Sequence, residues 1–407
     1  MSVKHILVIC PHPEGVAPGQ RLKYEQYFEC FSENGYEMNV QSFMSNRFWK
    51  IVYKKGYVLE KVFWTLYGYI KRILLIPFLP FYDGVYLFLN VTPFGFSFFE
   101  RIYLFMNPNV IYDIDDLVFL GKTSKVNRLV TLLKHPEKYF YLMRNAKHVI
   151  VFTPYLEEIA LKKNKHVTDI SSTINTDTYL PVNTYSNTKP LVLGWSGSHS
   201  TLKYFYLLEN ILKELRKKHE FNVLIFGVTD CKVDGLDIEV IPFDQKLEVS
   251  TLQKIDIGLY PLPLNEQWVF GKSGLKALQY MALGIPTIAT SIGANLRIIE
   301  DNVSGKLVVT DAEWMNGLTQ LLLDSSMRRK LGEQAHNKVV EEYSIHKSEL
   351  EVIFNPLNIF SVIEAVIDEN IYKVKLKHII FYPIIIEPDE NLTEYENRLK
   401  ILIQGQI

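Results

Sequence analysis

The amino-acid sequence predicts an α/β protein of two Rossmann-like, parallel-sheet domains facing each other across a cleft. Short apolar runs rich in β-branched residues alternate with helical patterns, as βα units do. This rhythm occurs twice along 407 residues, a length that accommodates two separate cores. Between the two halves, Pro181-Val-Asn-Thr-Tyr-Ser-Asn-Thr-Lys-Pro190 lacks apolar periodicity and is rich in Pro, Asn, Ser and Thr, which marks a linker. Domains are therefore expected at 1–183 and 184–343, with 344–407 as a C-terminal extension packing back on the first.

Strands of the first domain are expected at Ile6–Cys10, Met38–Phe43, Val85–Leu89, Val110–Ile114, Val149–Thr153 and Val167–Ser171. Those of the second are Leu191–Trp195, Asn222–Phe226, Ile238–Ile241, Ile255–Leu259, Pro286–Thr290 and Lys306–Val309. Each is short, apolar and bounded by polar or turn residues. Ligands of such sheets bind outside the carboxyl ends of the strands, so the loops that follow strands carry the functional candidates.

A formal net charge of −1 gives no general attraction for nucleic acid, and no nucleic-acid partner is expected. Cys10, Cys30 and Cys231 are too few and too scattered for a disulfide framework or a Cys-rich zinc site. Lys4-His5 leads into Ile6–Cys10, which is too short for a secretory core and reads as a buried strand. Asp83 and Glu100-Arg101 interrupt the most apolar region before it reaches the roughly 18 residues of a spanning helix. A cytoplasmic protein is expected, peripheral on the inner face of the membrane.

The most informative segment runs from Val269 to Thr290, a glycine loop followed by an amphipathic helix and a buried strand. Lys272, Ser273, Gly274 and Leu275 fall where free backbone N–H groups and the positive end of the helix dipole attract phosphate. Leu275, Leu278 and Met281 mark the inward face, Gly284 can close the helix in a left-handed conformation, and Pro286 stops its continuation. A second loop, Gly194-Trp-Ser-Gly-Ser-His-Ser-Thr-Leu-Lys203, follows the first strand of the same domain and leads into a helix expected through Leu215. Its Gly197 and Ser198 allow backbone amides to approach a diphosphate, so the two loops can grip one diphosphate from two sides.

In the first domain, Cys10-Pro-His-Pro-Glu-Gly-Val-Ala-Pro-Gly-Gln-Arg21 combines stiff and permissive positions, Gly15 and Gly19 among them, which suits substrate presentation. It lacks the G-x-G-x-x-G spacing of nicotinamide and flavin sites. Arg21 is open to bridging a phosphate or the domain interface, and His12 and His199 to donating a hydrogen bond or carrying a proton. Asp113-Ile-Asp-Asp116 ends a strand; its D-x-D spacing admits a divalent-metal reading, but capping of the next segment or ordering of the cleft is preferred, and no metal is expected. Residues 46–82 interleave Phe48, Trp49, Tyr53, Tyr57, Phe63, Trp64, Tyr67 and Tyr69 with Arg47, Lys50, Lys54, Lys55, Lys61, Lys71 and Arg72, with Glu60 the only acid. Such a surface suits the headgroup region of an anionic membrane, though aromatic residues also serve as core.

On these residues the chain resembles the retaining glycosyltransferases of family 4, two-domain enzymes of GT-B architecture. The resemblance spans about residues 3 to 343 and is strongest over Gly271–Thr290 and Gly293–Gly305. The family pattern E-x7-E followed by A-M-A-x-G-x-P is similar to Gly271 through Gln279 and then Tyr280-Met-Ala-Leu-Gly-Ile-Pro286. Lys203 matches the family's lysine in the first loop. Gln20-Arg21 and Tyr112–Asp116 resemble features of a subgroup that builds surface polysaccharides. Gly271 and Gln279 replace the two glutamates, and Ser198 the family's arginine; Gln279 can still hydrogen-bond a ribose hydroxyl.

The resemblance implies a metal-independent hexosyltransferase that uses a UDP- or GDP-sugar and needs no further cofactor. The donor would bind Gly197, Ser198, Lys203, Lys272, Ser273, Gly274, Leu275 and Gln279. A carbohydrate or polyprenyl-linked acceptor would bind Gly15, Gly19, Gln20, Arg21, Asp113 and Asp115. Lys203, Lys272 and His12 are the catalytic candidates. The missing glutamates keep a silent nucleotide-binding module open as an alternative, and a nucleotide-sugar epimerase of similar architecture is another.

Overall fold

The computed structural model describes residues 3–120, 135–182, 185 and 190–347. The first domain is a six-stranded parallel sheet in the order β2-β1-β3-β4-β5-β6. Its strands are β1 (Lys4–Cys10), β2 (Tyr36–Ser42), β3 (Gly84–Phe88), β4 (Val110–Asp113), β5 (His148–Val151) and β6 (Val167–Asp169). The second sheet is also parallel and six-stranded, in the order β12-β11-β10-β7-β8-β9. It contains β7 (Leu191–Ser196), β8 (Phe221–Phe226), β9 (Ile238–Ile241), β10 (Ile257–Tyr260), β11 (Thr287–Thr290) and β12 (Lys306–Val308).

All twelve expected strands are present, with ends shifted by a few residues. Pro286 has no N–H to give a ladder, so β11 starts at Thr287. Ile255 still belongs to the turn before β10, where its N–H bonds Leu252 O at 3.0 Å. Alternate side chains of each strand enter separate cores on the two faces of the sheet. In β1, Leu7 and Ile9 join one cluster while Ile6, Val8 and Cys10 join the other. In β7 and β8, Leu193, Trp195, Val223 and Ile225 pack on one face, whereas Leu224 and Phe226 pack on the opposite one.

One helix departs from expectation. The stretch after the Gly194 loop is not continuous through Leu215 but breaks into Leu202–Phe205, a 3-10 turn Tyr206–Leu208 and the helix Glu209–Arg216. Three aromatic side chains at Tyr204, Phe205 and Tyr206 crowd the start of the segment, and only its last part has regular amphipathic spacing.

Among the described residues the chain crosses between the domains twice. Thr173 still belongs to the first domain, where its hydroxyl meets Gln26 Nε2 at 2.9 Å and Tyr27 OH at 2.6 Å, but Ile174 packs in a core of the second. On the return, Tyr343 lies in that same core and Ile345 in the first domain's. The two crossings pair with each other: Ile174 N–H donates to Tyr343 O at 2.9 Å, and Ile345 N–H donates to Ile174 O at 3.1 Å. The expected boundary between 183 and 184 and residues 348–407 of the expected extension lie outside the described residues.

Candidate active site

In the second sheet the strand order reverses between β7 and β10, and the loops after these strands open a crevice at their carboxyl ends. Gly274 begins the helix Leu275–Ala282 with φ +74°, and a side chain there would run into Ile298. Only glycine suits that position. The N–H groups of Ser273, Gly274 and Leu275 make no hydrogen bond among the described residues. Three such groups at a helix start form an anion cradle. Gly284, at φ +68°, ends the helix as expected.

Two lysines flank the cradle, Lys272 in extended backbone before the helix and Lys276 in its first turn. Lys272 Nζ lies over the Trp268 ring and 2.7 Å from Asp116 Oδ2, a carboxylate of the first domain. Burial raises the Asp116 carboxyl above its ordinary value, and Lys272 opposes that rise. Lys276 differs. Its ammonium sits 4.7 Å from the centre of the Trp195 ring and 5.9 Å from that of Tyr260, and makes no ion pair among the described residues. Burial, with a contribution from the Lys272 charge, pushes it down to about 7.

The β7 loop meets this lysine directly. A methyl group on Gly197 would lie 2.4 Å from the Trp195 ring and 2.8 Å from Lys276 Nζ, so the absence of a side chain lets the loop backbone pack beside both. Ser198 is less available than expected, because its N–H donates to Thr201 Oγ1 at 3.1 Å and its hydroxyl meets Ser200 Oγ at 2.9 Å. Thr229 N–H donates to His199 Nε2 at 3.2 Å, which fixes that ring as part of the turn. Lys203 stands at the mouth, half exposed, with its ammonium 3.0 Å from Glu266 Oε1.

The first-domain candidates divide. Gln20 is fully buried and acts as a staple: its Oε1 accepts His12 N–H at 3.0 Å, while its Nε2 donates to His12 O at 3.0 Å and Glu25 Oε1 at 3.1 Å. Gly15 N–H donates to the other oxygen of Glu25 at 2.8 Å, and Gly19 lies against Asp115. These contacts set the loop's shape. Burial lowers His12 to about 4, so it is neutral near pH 7 and acts there only as an acceptor or a weak donor. Its ring meets Trp49 edge-on at 4.9 Å.

Asp113 does not reach the cleft as expected. It is fully buried, accepts the Tyr86 hydroxyl, and is pushed up to about 7 by burial. Asp115 lies 3.1 Å from Lys23 Nζ and Asp116 faces Lys272. The three carboxylates of Asp113–Asp116 thus turn to three different partners and do not converge.

Gly271 and Gln279 acquire physical reasons. A methyl group at Gly271 would lie 2.6 Å from Leu117 Cγ and 3.1 Å from Asp116 Oδ1. The first domain fills the space in which a longer side chain would stand. Gln279 is buried, and its amide donates to Tyr179 OH at 2.9 Å and Glu248 Oε1 at 3.0 Å. Glu248 in turn pairs with Arg21, so Arg21 takes the domain-interface role and Gln279 is occupied inside a link between the domains. Arg297 adds a further link, 2.6 Å from Asp169.

The sequence offers Lys276 beside Lys272 as a substitute for the missing glutamate in contacting the donor sugar, but does not single out Asp116. Lys276 was detectable because it lies in the first turn of the helix that follows the glycine loop. Asp116 was not, because its position against Lys272 depends on how the domains meet.

Residues 190–324 match the family described as Glycosyl transferases group 1. No curated protein sequence matches the chain. Among solved structures it is similar to a sucrose-phosphate synthase from Thermosynechococcus elongatus, at 15% identity over 88% of this chain and 99% of that one, with a TM-score of 0.64. It is also similar to a glycosyltransferase from Rickettsia africae, at 12% identity over 88% and 99%, TM-score 0.63. A third is Anabaena HepE in complex with UDP-glucose, at 12% identity over 86% and 98%, TM-score 0.59. The chain therefore has the GT-B fold, and its residues 190–324 match the glycosyl transferases group 1 family model.

Proposed function

We propose that this protein transfers a hexose from a UDP- or GDP-sugar to a carbohydrate or polyprenyl-linked acceptor, with retention of configuration and without a metal, in the synthesis of a surface glycan. The observation that carries the reading is the unpaired Lys276 ammonium beside Gly197 and the free N–H groups of Ser273, Gly274 and Leu275. Fixed donors and cations of this kind stabilise the charge that develops on a leaving diphosphate. Lys272 joins them once the diphosphate replaces Asp116 as its partner.

The acceptor hydroxyl attacks the anomeric carbon from the face that the diphosphate leaves, and a leaving phosphate oxygen takes its proton. No protein nucleophile takes part. HepE, which shares the fold, binds UDP-glucose, and this supports a nucleotide-sugar donor.

Calorimetry with UDP and GDP, followed by a donor-hydrolysis assay without acceptor, tests the proposal. Binding with slow hydrolysis is expected. Binding without hydrolysis or transfer to any acceptor would favour the silent module, and sugar rearrangement without acceptor would favour the epimerase. Absence of any nucleotide binding would refute all three.

A further inference from the structure

The helix Val58–Leu75 and the turn Ile76–Phe81 that continues it are inverted relative to the amphipathic helices around them. Gly68 and Arg72 of the helix face inward together with Leu79 of the turn. Gly68 lies on the Phe43 ring, where a methyl group would stand 2.6 Å away. Arg72 is buried and donates to Val91 O at 2.8 Å, Gln41 O at 2.9 Å and Cys10 O at 3.0 Å, tying the helix to the ends of β1 and β2. The outward residues are apolar. Leu59 is 86% exposed, Phe81 81%, and Phe63, Leu66 and Leu74 more than half; Phe105, at 85%, extends the patch from the neighbouring helix Phe98–Met106.

We infer that this face seats the protein in the headgroup and upper acyl region of an anionic lipid bilayer, with the helix lying in the membrane plane. Contrary to the expectation from the sequence, the segment 58–81 is long and apolar enough to cross a bilayer, because the helix continues unbroken through Lys61, Lys71 and Arg72. Crossing would tear Arg72 from its three carbonyls and place a guanidinium in hydrocarbon, so the geometry specifies lying on the membrane rather than spanning it. Charge selects the occupant. Residues 46–82 carry seven lysines and arginines against one acid, in a chain of net charge −1, and that acid, Glu60, is paired with Arg47 at 2.9 Å. Lys50, Lys54 and Lys55 are exposed at the edge of the apolar face. They attract anionic headgroups and repel a second copy of the same face. This inference stands independently of the sugar-transfer reading, and it places a lipid-linked acceptor within reach of the first domain.

The test is flotation of the full chain with phosphatidylcholine vesicles and with vesicles containing about one third phosphatidylglycerol. Anionic vesicles are expected to carry at least ~10-fold more protein at low salt. The variant Leu59→Glu/Phe63→Glu/Leu74→Glu is expected to lose flotation while keeping its unfolding temperature and its UDP binding, because all three side chains are exposed. Leu323→Glu, exposed on the second domain, is expected to float like the parent. Equal flotation on neutral vesicles, unchanged flotation of the triple variant, or no flotation of the parent overturns the inference. A dimer abolished by the triple variant, without vesicle binding, would assign the face to a second copy.

Discussion

Replacing Lys276 by Met is expected to make the protein more stable and less able to bind nucleotide. The ammonium falls from 10.5 to about 7 on folding, which at about 1.36 kcal/mol per unit corresponds to ~4–5 kcal/mol for a fully desolvated charge. The side chain is only partly buried, which brings the cost to the order of 1–3 kcal/mol. The sign follows from linkage. A lysine whose folded value lies below its unfolded one opposes folding fully below pH 7, and the penalty is relieved as pH rises from about 7 towards 10.5.

Methionine keeps the stem packed against Trp195 and Tyr260 and leaves no carboxylate without its partner, so a rise of a few degrees in unfolding temperature is expected at pH 6.5. UDP should bind roughly 10- to 150-fold more weakly, the equivalent of one charge-assisted hydrogen bond of ~1.5–3 kcal/mol. Thermal unfolding and calorimetry on parent and variant measure both quantities. A variant that unfolds earlier and binds UDP as tightly as the parent would refute the reasoning and make Lys276 a packing residue.

Four further outcomes are expected. Because a diphosphate favours the charged form of Lys276, UDP binding by the parent should take up protons at pH 8 and weaken above pH 7 by up to about tenfold per unit; calorimetry in buffers of different ionisation enthalpy reads this directly, and proton release would contradict it. Lys272→Ala should lower turnover strongly with an unchanged circular dichroism spectrum, and full turnover in that variant would argue against the site. Asp116→Asn should tighten UDP binding several-fold by removing the anion that occupies Lys272; weaker binding would show that Asp116 supports the nucleotide. Gly271→Glu should destabilise by ~1–3 kcal/mol, seen in thermal unfolding, because Leu117 fills the space; an unaltered midpoint would mean that the first domain yields at this point.

The strands were legible because their burial is written locally, in β-branched runs bounded by turn residues. The glycine loop and the helix it opens were legible for the same reason: Gly274, Gly284 and Pro286 are punctuation within one short segment. Contacts between distant segments were not. Gln279 reads as a free amide until Glu248 and Tyr179 close on it, and Asp113 reads as a cleft residue until Tyr86 covers it. The aromatic stretch 46–82 announced an amphipathic surface, but which side faced inward depended on Arg72 reaching Cys10, Gln41 and Val91. Those three carbonyls lie 19 to 62 residues away in sequence.

The paired crossings at Ile174 and Tyr343–Ile345 bear on how the halves can move. One covalent crossing would let the domains twist and slide freely. Two crossings joined by backbone hydrogen bonds hold the connections side by side, as a hinge line does, and a swing about that line is the expected motion. On the proposed function, donor capture is expected to act through that swing, with the contacts across the cleft, from Arg21–Glu248 to Lys272–Asp116, tightening or loosening together.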